Sequence, residues 1–292
     1  KQVKNVILTI IVAVIAALLV FKFIPPKNVQ NQVAAKESVY EKVVRTNTLR
    51  CGYVTYAPYL VKDPNTGKMS GIFYDLTEKM GELLNLKIEW THETTFGTFV
   101  EDMKSGRYDV YCGGLWAEVS KSRFLEYTRP VNYVGLGVYV RIDDTRFDNG
   151  VEILNDKNYK FATLDGEMSD FVAKQDFPDA HVVSHTHNTD ASQLVLDVVT
   201  KKADAVIIER AVANEYEKKN PGSLKNLMEN RPIRLFGNTW AALRGSPDLV
   251  NMMDMALEEM TNSGAVDKTI SQYDPGMTNF YPIALPFQSP SK

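Results

Sequence analysis

YDVYCGGLWAEVSKSRFLEYTRPVNY, residues 108–133, is the stretch on which the reading of the fold turns. It opens on a short apolar strand pattern at 108–112. It then runs through Gly113 and Gly114, Trp116, and a charged turn carrying Glu118, Lys121 and Arg123, to Tyr127-Thr128-Arg129-Pro130. A strand that stops in two glycines leaves backbone N–H groups open at its carboxyl end, with no side chains to crowd a ligand. In open α/β sheets that end of the strand is where ligands bind. The stretch reads as one wall of a small-molecule cleft.

Outward from it the pattern alternates strand and helix. On the N-terminal side, a strand at 49–54 ends in the loop Thr55-Tyr56-Ala57-Pro58-Tyr59. Ile72, Leu76, Met80, Leu83 and Leu84 recur at helical spacing, a strand follows at 86–90, and Phe96, Phe99, Val100 and Met103 form the next helix face. On the other side, 133–141 reads as an extended crossing strand. Strands follow at 159–164, 181–184, 203–208 and 239–243. Helices follow from Asp165-Gly166-Glu167 to Lys174, with Asp165 as cap, and at 191–200, 247–262 and 266–273. FVEDMKSGRYDVYCGG and LVLDVVTKKADAVIIE share one grammar: an apolar helix end, a break, an Asp, and a buried strand that stops at a polar residue. This internal repetition predicts two similar α/β lobes.

The 292 residues, 44% hydrophobic and 24% charged, suffice for two medium domains with a sizeable core. A net charge of -3 and the lack of a basic run beyond the N-terminus give nucleic acid no footing. Four scattered histidines, three of them in the polar stretch His181, His185 and His187, match no zinc spacing, and no cofactor motif is present. Cys51 and Cys112 fall in what should be neighbouring parallel strands. An exported protein permits a disulfide there, while buried free thiols are as common. Val6 to Phe21 is an unbroken apolar and small-residue run flanked by lysines. It reads as an N-terminal transmembrane anchor in preference to a cleaved signal, because no small-residue cleavage site follows it closely. Lys1 and Lys4 would then lie in the cytoplasm and the body outside. The expected organisation is 1–24 anchor or signal, 25–46 linker with a short helix near its end, 47–139 first lobe, 140–238 second lobe, 239–274 return to the first lobe, and 275–292 a loosely draped tail.

The blocks LRCGYVTYAPYLVKD, GIFYDL, SGRYDVYCGG, YTRPVNY, ADAVIIER and GAVDKTISQY together resemble the extracellular solute-binding proteins of family 3, the amino-acid receptors of ABC importers. The resemblance covers roughly residues 49–273. It implies the type II periplasmic-binding-protein fold, two α/β lobes joined by two strands around a central ligand cleft. It places ligand contacts at Tyr53 and Tyr56, with Phe96 opposite, so that Tyr56 and Phe96 would sandwich a flat or cationic group. Gly113, Gly114 and Trp116 fall on the first-lobe wall, Glu167 and Met168 at the second-lobe helix start, and Glu209 where the family holds the ligand amine. Lys121 stands where the family has an arginine for the α-carboxylate, and a lysine offers a point charge in place of a bidentate fork. Asp165-Gly166-Glu167 replaces hydroxyl residues and repels an anion. The cleft keeps an amine site and loses much of its carboxylate site. The expected ligand is a small amine-bearing compound, ahead of a standard amino acid held by Lys121.

Three functions fit this pattern. One is a membrane-anchored binding protein that closes on its ligand and docks on ABC permease subunits. Another is an enzyme on the same fold, such as a cyclohexadienyl dehydratase, with Glu167, Glu209 or Lys121 as acid or base; no nucleophile–base pair supports it. The third is a ligand-sensing domain, disfavoured because no effector pattern follows the second lobe.

Overall fold

The computed structural model describes residues 37–186 and 189–283, together with Val14 alone. It begins with α1 (Val39–Thr46), whose start is a reciprocal box. The Ser38 hydroxyl accepts from the Glu41 N–H at 3.1 Å, and the Glu41 carboxylate accepts from the Ser38 N–H at 2.8 Å. Val43 is buried in the main core, so the stretch expected as a linker ends in a docked helix.

The first lobe continues with β1 (Thr48–Tyr53), the ribbon β2 (Val61–Lys62) and β3 (Met69–Ser70), then α2 (Ile72–Leu84), β4 (Lys87–Glu93) and α3 (Phe99–Lys104). It closes on β5 (Val110–Trp116) and β6 (Leu125–Tyr127) before β7 (Asn132–Arg141) crosses out of it. The second lobe holds β8 (Lys160–Leu164), α4 (Met168–Asp176), β9 (His181–His185), α5 (Ala191–Val199), β10 (Ala205–Glu209), α6 (Arg210–Lys219) and β11 (Leu224–Asn226). The return is β12 (Arg234–Leu243), then α7 (Pro247–Asn262), α8 (Ala265–Tyr273) and β13 (Phe280–Tyr281).

The principal strand order is β4-β1-β5-β12-β7-β10-β8-β9. In each lobe three parallel strands are flanked by an antiparallel crossing strand, and the crossing strands β7 and β12 pair with each other. Alternate residues of one strand feed opposite cores, as the period of two requires. Val110 and Cys112 enter the core beneath α2 and α7, while Tyr111 and Leu115 enter the one beneath α3. In β10, Ala205 and Ile207 face one side, and Val206 and Ile208 the other. Each lobe is therefore a sheet covered on both faces.

The internal repetition has a structural counterpart. The Asp109 N–H donates to the Arg50 carbonyl at 2.8 Å, and its carboxylate accepts from the Arg50 N–H. Asp204 does the same with Lys160 in the second lobe. Seven residues earlier in each lobe, Asp102 faces His92 at 3.4 Å and Asp197 faces His185 at 2.5 Å. The histidines sit on strands β4 and β9, which occupy the two ends of the sheet.

Four features differ from the sequence reading or resolve it. Cys51 and Cys112 form a disulfide with a 5.5 Å Cα separation, across the β1–β5 pairing. The second crossing strand starts at Arg234, five residues ahead of the expected 239, because its first half, Arg234 to Asn238, pairs with β7. Helix α6 was not expected: only Ala211 and Ala213 are buried on it, too weak an apolar face to read. The described part of the tail, 275–283, is not loosely draped. Asp274 accepts the N–H groups of Asn279 and Phe280, Phe280 is 1% exposed, and β13 pairs with β7 at Tyr133 and Val134. No described helix is long and apolar enough to cross a membrane; the run expected to do so, 6–21, lies outside the described residues apart from Val14.

Candidate functional site

A cavity of about 350 Å³ lies where the strands β5 and β10 deliver their carboxyl ends from opposite lobes. The first-lobe wall is Gly113, Gly114, Leu115 and Trp116, with Tyr56, Tyr59 and Phe96 beside it. Against β12, β5 bulges here. Thr239 pairs with Leu115 and Ala241 with Tyr111, so residues 112–114 of β5 oppose a single residue of β12. Gly114 makes the bulge possible. Its φ is 81°, and a Cβ on it would lie 2.6 Å from the Phe73 ring. The two glycines thus shape the wall as well as leaving it open.

Glu209, at the end of β10, is 6% exposed. The Tyr56 hydroxyl donates to its Oε2 at 2.8 Å and the Tyr59 hydroxyl to its Oε1 at 3.0 Å. Both tyrosines come from one tight loop, closed by mutual backbone bonds between Tyr56 and Leu60 around Ala57-Pro58. The contact therefore joins the lobes. Burial pushes the Glu209 carboxyl up to about 7, against the two hydroxyls, which favour its ionised form. Burial, and then the Glu209 charge, push both tyrosines well above their ordinary value.

Glu167 stands at the N-cap of α4, where the helix dipole favours negative charge, yet its side chain makes no capping bond. Burial raises it to about 7, partly opposed by the nearby Lys121 ammonium. Lys121 is itself held by Glu118, with Nζ–O distances of 2.7 and 2.6 Å. Asn238, 1% exposed on β12, lines the same cavity. Its Nδ2 donates to Asn132 Oδ1 at 3.3 Å, which leaves its Oδ1 buried with no partner among the described residues.

Of the residues expected to meet a ligand, the structure brings together Tyr56, Phe96, Gly113, Gly114, Trp116, Glu167, Met168 and Glu209. Tyr53 lies outside the lining. It is 2% exposed and packs edge-on against Trp90, because β1 turns that residue into the interior. Lys121 also lies outside it, drawn to Glu118. Tyr56 and Phe96 do not face each other across a slot: their rings touch edge to face, 5.8 Å apart and at 83°. Asp165 does not cap α4; the N-cap is Glu167. Glu209 pairs with tyrosines and not with Arg210, which donates to the Glu229 carbonyl. The sequence reading passed over Tyr59 and Asn238. Tyr59 had a signal, its place in the same Pro-containing loop as Tyr56. Asn238 had none, since it lies where β12 passes between the lobes.

A model of the bacterial extracellular solute-binding proteins, family 3, matches residues 49–275. The chain is similar to a probable histidine-binding protein of Campylobacter jejuni, 23% identical over 231 residues, covering 78% of this chain and 86% of that protein. It is similar to a probable amino-acid ABC transporter-binding protein of Haemophilus influenzae, 24% identical over 230 residues, covering 78% and 85%. Among solved structures it is similar to an ancestral amino acid-binding protein, a precursor of cyclohexadienyl dehydratase. The TM-score is 0.69 and the identity 24%, over 81% of this chain and 99% of that one. The last likeness is one of fold, and it bears out the two-lobed α/β architecture.

Proposed function

This chain belongs to the bacterial extracellular solute-binding proteins, family 3, and on that footing we propose that it closes its lobes on a small amine-bearing solute and presents it to an ABC permease. The observation that carries this reading is Glu209. A carboxylate buried on a cavity wall, hydrogen-bonded among the described residues only to hydroxyls, is complementary to a cation. No lysine or arginine is among the described residues that line the cavity. The Campylobacter relative is named for histidine, a basic amino acid, which agrees in sign. Tyr56, Tyr59 and Phe96 add aromatic surface beside the carboxylate, where a cation gains about 0.5–2 kcal/mol. Glu209 of one lobe and the tyrosines of the other already meet across the cavity, so an ammonium bound there would be gripped from both lobes.

On this reading the apolar run at 6–21 tethers the body to the outer face of the membrane, near its permease. Recovery of an intact N-terminus from the membrane fraction is the corresponding check.

A thermal-shift panel of amino acids, amines and guanidino compounds tests the ligand class. A ligand at about a hundred times its dissociation constant adds about 2.7 kcal/mol of stability. Amines and cationic amino acids should shift the transition, and Glu209→Ala should abolish the shift. Shifts confined to neutral or anionic amino acids would refute the reading.

A second reading, an enzyme on this fold, is favoured by one observation. Glu167 and Glu209 line one cavity, and burial raises each carboxyl to about 7, the range that suits a general acid or base. Mass spectrometry of bound and released ligand separates the two, since a binding protein returns its ligand unchanged.

A further inference from the structure

Resting on the amine-binding reading above, we infer that the solute is a dication without a carboxylate, such as an aliphatic diamine or an aminoalkyl-guanidine. One ammonium lies between Glu209 and Asn238 Oδ1, and the second cationic group lies on Glu167. Three carboxylates line the cavity: Glu118, Glu167 and Glu209. Lys121 neutralises Glu118 through both oxygens. Lys121 lies near Glu167 but is tied to Glu118, so among the described residues neither Glu167, partly buried, nor Glu209, buried, makes an ion pair, and a desolvated carboxylate is costly until a cation arrives. An amino acid would supply one or two cations but also a carboxylate. Among the described residues that carboxylate would meet no unpaired lysine or arginine on the wall, and it would face Glu118 and Glu167.

The second, independent observation is the orphan acceptor. Asn238 Oδ1 is buried on the cavity wall without a donor, while Nδ2 of the same amide is committed to Asn132. An unmet buried acceptor is rare in folded proteins and calls for a donor. A carboxylate cannot supply one. An ammonium has three N–H groups, enough to serve Glu209 and still reach Asn238. Glu209 retains lone pairs for this, because each oxygen takes only one tyrosine hydroxyl.

The walls divide the labour. Glu167 and Glu209 both come from the second lobe, at the starts of α4 and α6. Trp116 and Phe96 come from the first, and Met168, Leu136 and Ile207 line the space as well. An alkyl chain between two cationic ends fits carboxylates joined by such apolar surface.

The test is titration calorimetry of the protein with 1,4-diaminobutane, 1,5-diaminopentane, 4-aminobutylguanidine, butylamine, lysine and arginine. At least one of the three dications should bind more tightly than butylamine by about tenfold to a hundredfold, the worth of one charge-assisted contact. It should also bind more tightly than lysine or arginine. Glu167→Gln should remove the advantage of the dications over butylamine. Asn238→Ala should weaken diamines and butylamine alike. If lysine or arginine binds as well as the best dication, the inference falls while the amine reading stands, with Lys121 released to the carboxylate. If butylamine equals the dications, Glu167 has no part and the inference likewise falls. Binding of none of the six probes overturns both readings.

Discussion

Glu209→Gln isolates the buried carboxyl while keeping its shape. In the folded, unliganded protein burial lifts this group from its ordinary 4.5 to about 7. Because the folded-state value is raised, the native protein holds a proton that the unfolded chain has already released. The associated stability is fully present below 4.5 and is lost as pH rises through about 7. The whole window corresponds to about 3 kcal/mol, and about 2 kcal/mol of that falls between roughly pH 5.5 and 8. Glutamine does not titrate, so this part of the pH dependence should vanish in the variant. Glu167 titrates in both proteins and cancels in the difference. A protein of this size moves by roughly 2–4 °C in Tm for each kcal/mol. The Tm of the variant minus that of the parent should therefore rise by about 4–8 °C from the acidic to the basic end. Differential scanning calorimetry of unliganded protein at several pH values gives the result directly. Parallel Tm–pH curves would show that Glu209 ionises as freely in the folded chain as in the unfolded one. The basis for treating it as a carboxylate awaiting a cation would then be gone.

The Cys51–Cys112 bond closes a loop with a sequence separation of 61, which on the chain-entropy account is worth about 4 kcal/mol. The double serine variant, or reductant, should lower Tm by roughly 8–16 °C, and a loss below about 1 kcal/mol would contradict that account. Phe280→Ala empties a fully packed site against Tyr59, whose ring lies 5.3 Å away. It should cost about 3–5 kcal/mol in denaturant unfolding, and a change under about 1 kcal/mol would mean that the tail is not part of the core.

Long periodic elements were legible in the sequence. Ile72–Leu84 and Pro247–Asn262 have the bounds read from apolar spacing, because one face of each is packed and the ends are marked by Gly71 and Pro247. The site was legible in part, because Gly113, Gly114, Glu167 and Glu209 lie at strand or helix ends, where the chain pattern itself points to a cleft. What could not be read depends on contacts far apart in the chain. Lys121 is drawn to Glu118, and Tyr53 and Tyr56 part company because a strand ends between them. Tyr59 reaches Glu209 over a separation of 150 residues. The disulfide needed the register of β1 on β5, which two apolar runs do not specify. Residues 275–281 carry too few apolar side chains to announce a strand. Their order comes from Asp274 and from the edge that β7 offers.

The three tryptophans occupy very different settings. Trp240 is fully enclosed with its indole N–H on Thr77, and Trp90 donates to Glu78. Trp116 alone of the three lines the cavity, stacked at 4.6 Å and 13° on Phe236 of β12, a strand shared by both lobes. Any change in intrinsic emission when a solute enters thus comes chiefly from one ring, at the seam where the lobes would move. If the lobes close as proposed, Trp116 would serve as an unlabelled optical gauge of that closure, and replacing it by Phe would silence the signal while leaving the other two indoles as an internal reference.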